Sequence, residues 1–138
     1  MSKLFGEVFQ LLNRAMDAAT LRQRAIAQNI ANVNTPDYQR VEVSFEGELK
    51  KVFSKQREIK LRGVLTNPMH IPIGPPSIDS VKPIIWRDDT GYYRYDKNNV
   101  DIDRELVKLA ENSIKYRAMS SLMGKRFAML KSVISSRR

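Results

Sequence analysis

Residues 5–33 read FGEVFQLLNRAMDAATLRQRAIAQNIANV, and this stretch decides the fold class. Its apolar residues recur at alternating intervals of four and three, the heptad spacing of helices that pack side by side. Interspersed alanines add helix propensity and small contact surfaces. We therefore predict a helix from about Ser2 to Asn32 that carries a packing seam. The seam comprises Phe5, Phe9, Leu12, Met16, Ala19, Gln23, Ile26, Ile30 and Val33.

The C-terminal segment repeats this spacing. It begins with acidic residues, and every charge after Glu111 is positive, which suits the dipole of a helix. Asp101 stands where an N-cap is expected. The sequence thus predicts a second long helix with its own seam. That seam comprises Ile102, Leu106, Leu109, Ser113, Tyr116, Ser120, Met123, Phe127, Leu130 and Ile134.

Proline placement separates the two helices from the middle of the chain. All six prolines lie between Pro36 and Pro83, and proline interrupts helices. A helix of about 30 residues is roughly 45 Å long, whereas a compact domain of this size is roughly 35–40 Å across. The terminal helices must therefore project, paired with each other or with other copies. We predict a mainly α fold in which long N- and C-terminal helices (residues 1–34 and 99–138) form an antiparallel coiled-coil-like hairpin.

The remaining residues, 35–98, should form a small irregular module with short elements. The alternation of residues 41–45 predicts a strand, and Ser44 could cap a short amphipathic helix after it. Residues 84–87 and 92–95 flank the turn-forming sequence Asp-Asp-Thr-Gly and predict a β-hairpin. Residues 63–83, rich in proline and glycine, predict an irregular loop.

Composition excludes several kinds of active site. The 138 residues include no cysteine, so neither a disulfide framework nor a Cys-based zinc site can form. His70 is the only histidine, and it has no partner for a catalytic or metal site. A turn explains the acidic pair at residues 88–89, and a helix start explains the pair Asp101 and Asp103. We expect a protein that is not an enzyme, with no catalytic residue, no metal and no other cofactor.

The net charge of +9 leaves an alternative open, a basic nucleic-acid-binding protein. Such a protein could stack bases on exposed aromatic residues. The basic residues are scattered, however, and no nucleic-acid fold signature is present, so we expect no nucleic-acid partner. The aromatic and basic residues concerned are Trp86, Tyr92, Tyr93, Arg94 and Tyr95.

Membrane association is a third possibility for a basic helical chain. No apolar run exceeds four residues, so we expect no membrane insertion. The acidic residues Glu7 and Asp17 make the first helix a poor match for a membrane surface. Glu7 and Gln10 also interrupt the apolar stretch that a secretory signal peptide would need.

Two short segments stand at the inner ends of the predicted helices. Residues 29–38 read NIANVNTPDY, and residues 98–106 read NNVDIDREL. The first indicates a helix stop followed by a tight polar turn, because Asn and Thr side chains bond nearby main-chain groups and Pro36 fixes one dihedral. Tyr38 adds an aromatic anchor with a polar tip.

Both segments resemble those of bacterial flagellar rod and hook proteins. That family carries an Ala-Asn-x-x-Thr-Pro-Gly-Tyr motif after the N-terminal helix and an Asn-Asn-Val-Asp sequence before the C-terminal one. The short length, without a large central insertion, is most similar to proximal rod members. The family usually has glycine where this chain has Asp37 and Lys97; if the backbone needs a positive φ there, aspartate tolerates it better than lysine. The assembly motif that the resemblance implies comprises Ala31, Asn32, Asn34, Thr35, Pro36 and Tyr38.

The resemblance implies a structural subunit of the proximal rod of the flagellar basal body. Such subunits polymerise into a helical tube that transmits torque from the motor to the hook, and their terminal helices surround the export channel. The expected partners are further copies, other rod proteins, and components of the basal-body ring and the export gate. The rod spans the periplasm, and its subunits leave through the type III export apparatus without a cleaved signal peptide. Phe5 and Phe9 match the Phe-x-x-x-apolar element that the export gate reads.

Overall fold

The computed structural model of the chain describes the backbone of residues 2–58, 63, 69, 74, 76–91 and 94–135. Within these residues the fold is mainly helical, with two long helices and a two-stranded sheet. None of the described helices is long and apolar enough to cross a membrane. The elements in chain order are α1 (Ser2–Ala31), β1 (Val41–Ser44), α2 (Glu46–Glu58), a short 3-10 helix (Ile78–Ser80), β2 (Ile84–Arg87) and α3 (Ile102–Ser135).

The two long helices confirm the predicted helical hairpin. α1 has 30 residues and α3 has 34, which corresponds to lengths of about 45 and 50 Å. Residue numbers rise along α1 and fall along α3 at successive contacts, so the helices are antiparallel. Three contacts mark this order: Phe9 with Phe127, Ala19 with Asn112, and Asn29 with Glu105.

The start of α3 also agrees with the prediction. Asp101 Oδ1 accepts hydrogen bonds from the main-chain N–H groups of Asp103 (3.0 Å) and Arg104 (3.4 Å). These bonds satisfy N–H groups that have no partner within the helix, so Asp101 is the N-cap. Asp103 and Glu105 in the first turn add a favourable interaction with the helix dipole.

Small side chains form the inner face of α1. Ala18, Ala19 and Ala25 are each at most 6% exposed, and alanine lets neighbouring backbones approach closely. α1 contacts α3, β1 and the 3-10 helix. Ala18 forms a small apolar core with Phe45 and Val81, which belong to the middle of the chain. The middle module is therefore attached to the hairpin along α1.

The sheet confirms two antiparallel strands but pairs them differently from the prediction. β2 lies antiparallel to β1, with Ser44 opposite Ile84. Of the partner predicted for β2, residues 92–95, Tyr92 and Tyr93 lie outside the described residues. Arg94 instead begins a turn, in which the Lys97 N–H donates to the Arg94 carbonyl at 3.1 Å. Arg94 and Tyr95 are therefore not part of a strand.

The segment after β1 requires one more correction. α2 begins at Glu46, and Ser44 is the last residue of β1, so the predicted Ser44 cap is wrong. Phe45 precedes the first turn, where its carbonyl accepts the Leu49 N–H at 2.9 Å. Ten of the 21 residues in the predicted loop at residues 63–83, including His70, lie outside the described residues.

Candidate assembly site

The segment after α1, residues 31–38, forms a compact polar turn that we call the motif loop. The Asn32 side chain donates from Nδ2 to the Gln28 carbonyl at 2.8 Å. The Thr35 N–H donates to the Asn32 carbonyl at 3.0 Å, and the Thr35 hydroxyl donates to Asn32 Oδ1 at 3.2 Å. Ala31 is the last residue of α1, and Asn34 and Pro36 are exposed. The Asn and Thr side chains thus close the end of the helix.

Asn98, which lies shortly before the N-cap of α3, binds the motif loop. Its side chain is fully buried. Nδ2 lies 3.0 Å from the Asn32 carbonyl oxygen, 3.1 Å from that of Val33 and 2.9 Å from that of Thr35. Oδ1 accepts the Val100 N–H at 2.8 Å. One side-chain amide therefore joins the two segments at residues 29–38 and 98–106.

Two residues beside this junction have left-handed backbone geometry. Asp37 has φ of 58° and Lys97 has φ of 59°. The Asp37 N–H donates to the Asp96 carbonyl at 2.9 Å, so the two turns are bonded to each other. These are the positions where the resembled family usually has glycine, and both require the positive φ that glycine adopts without strain.

Asn29, in the last turns of α1, uses all of its amide bonding capacity. Its Oδ1 accepts the Val41 N–H at 2.8 Å, and its Nδ2 donates to the Val41 carbonyl at 2.9 Å. Oδ1 also accepts the Tyr38 hydroxyl at 3.2 Å, and Nδ2 donates to Glu105 Oε2 at 2.9 Å. The side chain is 1% exposed. It joins α1, the motif loop, β1 and α3 at one point.

The Glu105 carboxylate is the acidic member of this junction and is 1% exposed. Its Oε1 lies 3.4 Å from Lys108 Nζ, and Lys108 Nζ lies 2.6 Å from Glu42 Oε1. A buried charge needs such compensation, because burial without a partner is costly. Lys108 thus links the buried carboxylate to the sheet.

A second polar cluster joins the middle module to the start of α3. Asn99 Oδ1 accepts the Arg40 N–H at 2.7 Å, and Asn99 Nδ2 donates to the Asp88 carbonyl at 2.5 Å. The Asp88 carboxylate accepts hydrogen bonds from the Thr90 hydroxyl (2.5 Å), the Thr90 N–H (3.0 Å) and the Arg40 guanidinium. These hydrogen bonds, of which those from Thr90 have the largest effect, hold the pKa of Asp88 below its usual value, although burial opposes the shift.

Tyr38, the last residue of the motif loop, is half-buried. Burial raises the pKa of its hydroxyl above the usual value. The positive charge of Arg87 opposes this shift, and the negative charge of Glu105 adds to it. The neutral hydroxyl is therefore the favoured state, and it donates to Asn29.

The residues of the two predicted seams differ in how much of each side chain is buried within the single chain. Ile26 and Met123 are buried. The rings of Phe9 and Phe127 meet edge to face with centroids 5.4 Å apart. The side chain of Phe5 lies outside the described residues. The half-buried members are Phe9, Leu12, Met16, Ile30 and Leu109. The members exposed by more than a third are Ile102, Leu106, Tyr116, Phe127 and Leu130.

The predicted seam includes only part of the face that α3 turns toward α1. Leu109, Tyr116 and Met123 belong to the predicted seam and alternate along the helix with residues that were not predicted. The unpredicted residues complete the four-three spacing, and two of them are buried polar side chains. They are Glu105, Asn112, Met119 and Arg126.

The other candidate sites, an aromatic-basic cluster and a metal site, are not formed by the described residues. Trp86 lies in β2 and Tyr95 lies in a turn, so these aromatic residues do not share a strand. Tyr92 and Tyr93 lie outside the described residues. Among the residues that are described, no three His, Asp or Glu side chains form a group that could hold a metal ion.

Two long antiparallel helices, exposed apolar residues along α3 and a buried polar junction at one end are typical of a structural protein. Comparison with known proteins agrees. A sequence profile described as "Flagella basal body rod protein" matches residues 9–39. Proteins named "Flagellar basal body rod protein FlgB" are similar along most of the chain.

The relative from Bacillus subtilis is 35% identical over 132 residues, which cover 96% of this chain and 96% of that protein. The relative from Borrelia hermsii is 33% identical over 95% of this chain and 98% of its own. The relative from Salmonella typhimurium is 35% identical over 87% of each chain. The chain therefore belongs to the FlgB family of flagellar basal body rod proteins, a family of structural proteins rather than enzymes.

Proposed function

We propose that this chain is a subunit of the proximal rod, that it self-assembles into a helical tube, and that the tube transmits torque from the motor to the hook. In this proposal the terminal helices also line the export channel. One observation carries the proposal: α3 is about 50 Å long and exposes apolar side chains along its whole length in the single chain.

The exposed residues support packing between subunits. Leu106 is 49% exposed near the start of α3, and Phe127 is 54% exposed near its end. Burying such side chains against a neighbour contributes about 25 cal/mol per Å² of apolar surface. Contacts spread over a long helix also distribute a mechanical load, which suits a shaft that transmits torque.

The partners in this proposal are further copies of the chain, other rod proteins, and components of the basal-body ring and export gate. The motif loop packs against neighbouring subunits through its exposed residues, among them Asn34 and Pro36. The subunit reaches the periplasm-spanning rod through the flagellar export apparatus without cleavage of a signal peptide.

The assembly role is tested by placing charge on the exposed stripe. Leu106→Asp and Val133→Asp should leave the single chain folded, because Leu106 is 49% and Val133 is 71% exposed, but should prevent incorporation into basal bodies. Ser121→Asp is the matched control, since Ser121 is an exposed polar residue of α3. The measurement is an immunoblot of basal bodies isolated from cells that carry each variant. Normal incorporation of both stripe variants would refute the proposal.

The export element is tested separately. Phe5→Ala should lower the amount of the protein exported by the flagellar apparatus. Val8→Ala, which removes a neighbouring apolar side chain outside the Phe5–Phe9 pattern, serves as its control. Equal export of the two variants would assign Phe5 to helix packing alone.

A further inference from the structure

The apolar residues of the hairpin leave its register undetermined. α1 carries apolar residues in four-three spacing in which only Gln23 is polar, and α3 carries Leu109, Tyr116 and Met123 at intervals of seven. A slide of one helix by seven residues, about 10.5 Å, would again place apolar residues opposite apolar residues. Residues 32–101 connect the helices, and the length of this connection does not select one register. Within it, Asn98 bonds the segment before α3 to the motif loop, and the contacts of α3 itself lie beyond that junction.

Buried polar residues on α3 distinguish the registers. Glu105 Oε2 accepts a hydrogen bond from Asn29, and Asn112 Nδ2 donates to the Ala19 carbonyl at 2.9 Å. Both side chains are 1% exposed. Each of these contacts joins one residue of α3 to one level of α1, so together they mark a single alignment.

A slide by seven residues in either direction would break both contacts. In one direction, Glu105 would move to the level of Arg22, whose guanidinium already binds Glu46 at 2.7 Å. In the other direction, Glu105 would pass beyond the end of α1 to the level of Pro36. Each slide buries a polar group without its partner, and that cost is large compared with the difference between two apolar pairings.

We propose that Glu105 and Asn112 are positioning residues that select the register of the helical hairpin. Buried polar residues have this effect in coiled coils, where they fix alignment at some cost in stability. The register decides which apolar residues of α3 are offered to neighbouring subunits. The inference rests on the proposed function only for this last consequence, because the register itself belongs to the single chain.

The absence of cysteine from the sequence allows the register to be measured directly. Phe9→Cys combined with Phe127→Cys reports the observed register, because these residues are in contact. Phe9→Cys combined with Ser120→Cys or with Ile134→Cys reports a slide of seven residues in either direction. Disulfide yields within the monomer are measured in dilute, oxidised full-length protein.

In chains that carry only the cysteine substitutions, the yield of the Phe9→Cys/Phe127→Cys disulfide should exceed the yield of either disulfide that reports a slide by at least about tenfold. Glu105→Leu combined with Asn112→Leu should reduce this excess below about threefold. The same double variant should keep its helical circular dichroism but melt at a lower temperature, because Asn29 Nδ2 and the Ala19 carbonyl then lose their buried partners. A merely stabilising role predicts the same loss of stability with an unchanged register, so the disulfide ratio distinguishes the two roles.

Glu105→Gln is the conservative variant, because its side-chain oxygen still accepts the Asn29 hydrogen bond. It should retain the observed register. The inference is overturned if the double variant keeps a tenfold excess, if it loses helical structure, or if Glu105→Gln relaxes the register as much as the double variant does. Because all yields come from monomers, failure of the chain to enter basal bodies would refute the proposed function without altering this result.

Discussion

The side-chain amide of Asn98 lies 2.9 Å from the carbonyl oxygen of Thr35, so the segment before α3 closes the loop after α1. The same Nδ2 also donates to the carbonyls of Asn32 and Val33. The two segments that resemble the family motifs are therefore a single structural unit. The motif loop obtains its shape from a residue that is more than sixty positions away in the sequence.

Asn98→Ala should lower the free energy of unfolding by about 2 kcal/mol, because three carbonyl groups lose a buried donor. Urea denaturation of the isolated protein measures this change. Asn34→Ala is the matched control in the same loop. Asn34 is exposed, so its replacement should change stability by less than about 0.5 kcal/mol. Equal effects of the two variants would show that Asn98 does not hold the loop.

Lys97→Gly should raise the free energy of unfolding by about 0.5–1 kcal/mol. The left-handed φ of 59° strains a lysine but not a glycine. Asp37→Gly should give a smaller gain, since aspartate tolerates this conformation better. Lys82→Gly, at an exposed position without positive φ, should instead be neutral or destabilising. A loss of stability in Lys97→Gly would contradict the strain at that turn.

Stability should fall in acid partly through Asp88. The folded state holds the pKa of Asp88 below its usual value, so the ionised carboxylate stabilises the fold above the unfolded-state pKa of about 3.9. That contribution is lost as pH falls through the lower folded-state pKa. Asp88→Asn should therefore be less stable than the parent at pH 6 and should lose less stability between pH 5 and pH 2.

Thermal unfolding of both proteins across this pH range measures the effect. Asp89→Asn is the control, because Asp89 is exposed beside the same turn. If Asp88→Asn and the parent lose stability in parallel as the pH falls, another carboxylate is responsible for the acid dependence.

Ile26→Pro should abolish incorporation into basal bodies and motility. Proline in a helix interior costs about 3 kcal/mol or more, and Ile26 is 3% exposed within the hairpin. Ile26→Val keeps the helix and should cost only about 1 kcal/mol. Motility in soft agar compares the two strains, and normal swimming with Ile26→Pro would contradict the role of α1 in assembly.

The helices were predictable because their signals are local. Proline placement and four-three spacing predict α1 and α3, and the identity of Asp101 predicts the start of α3. The partner of β2 was not predictable in this way. β2 pairs with β1, which lies far from it in the sequence, and Asn29 of α1 bonds Val41, the first residue of β1. The short turn after β2 favoured a local hairpin instead.

The junction was only half predictable. The residues of the motif loop are visible in the sequence, and the two glycine replacements correctly point to positive φ. The bonds that join the loop to Asn98 and Asn29 to Glu105 span more than sixty residues, and no sequence period indicates them. Glu105 and Asn112 escaped selection because the search for a seam favoured apolar residues.

The amide of Asn29 presents one donor and one acceptor to Val41, as a peptide group of an adjacent strand would. A side chain of α1 therefore occupies the place of a third strand at Val41. An open strand edge invites pairing with other chains and hence aggregation. At Val41 the amide of Asn29 therefore leaves no main-chain group open to a strand of another chain.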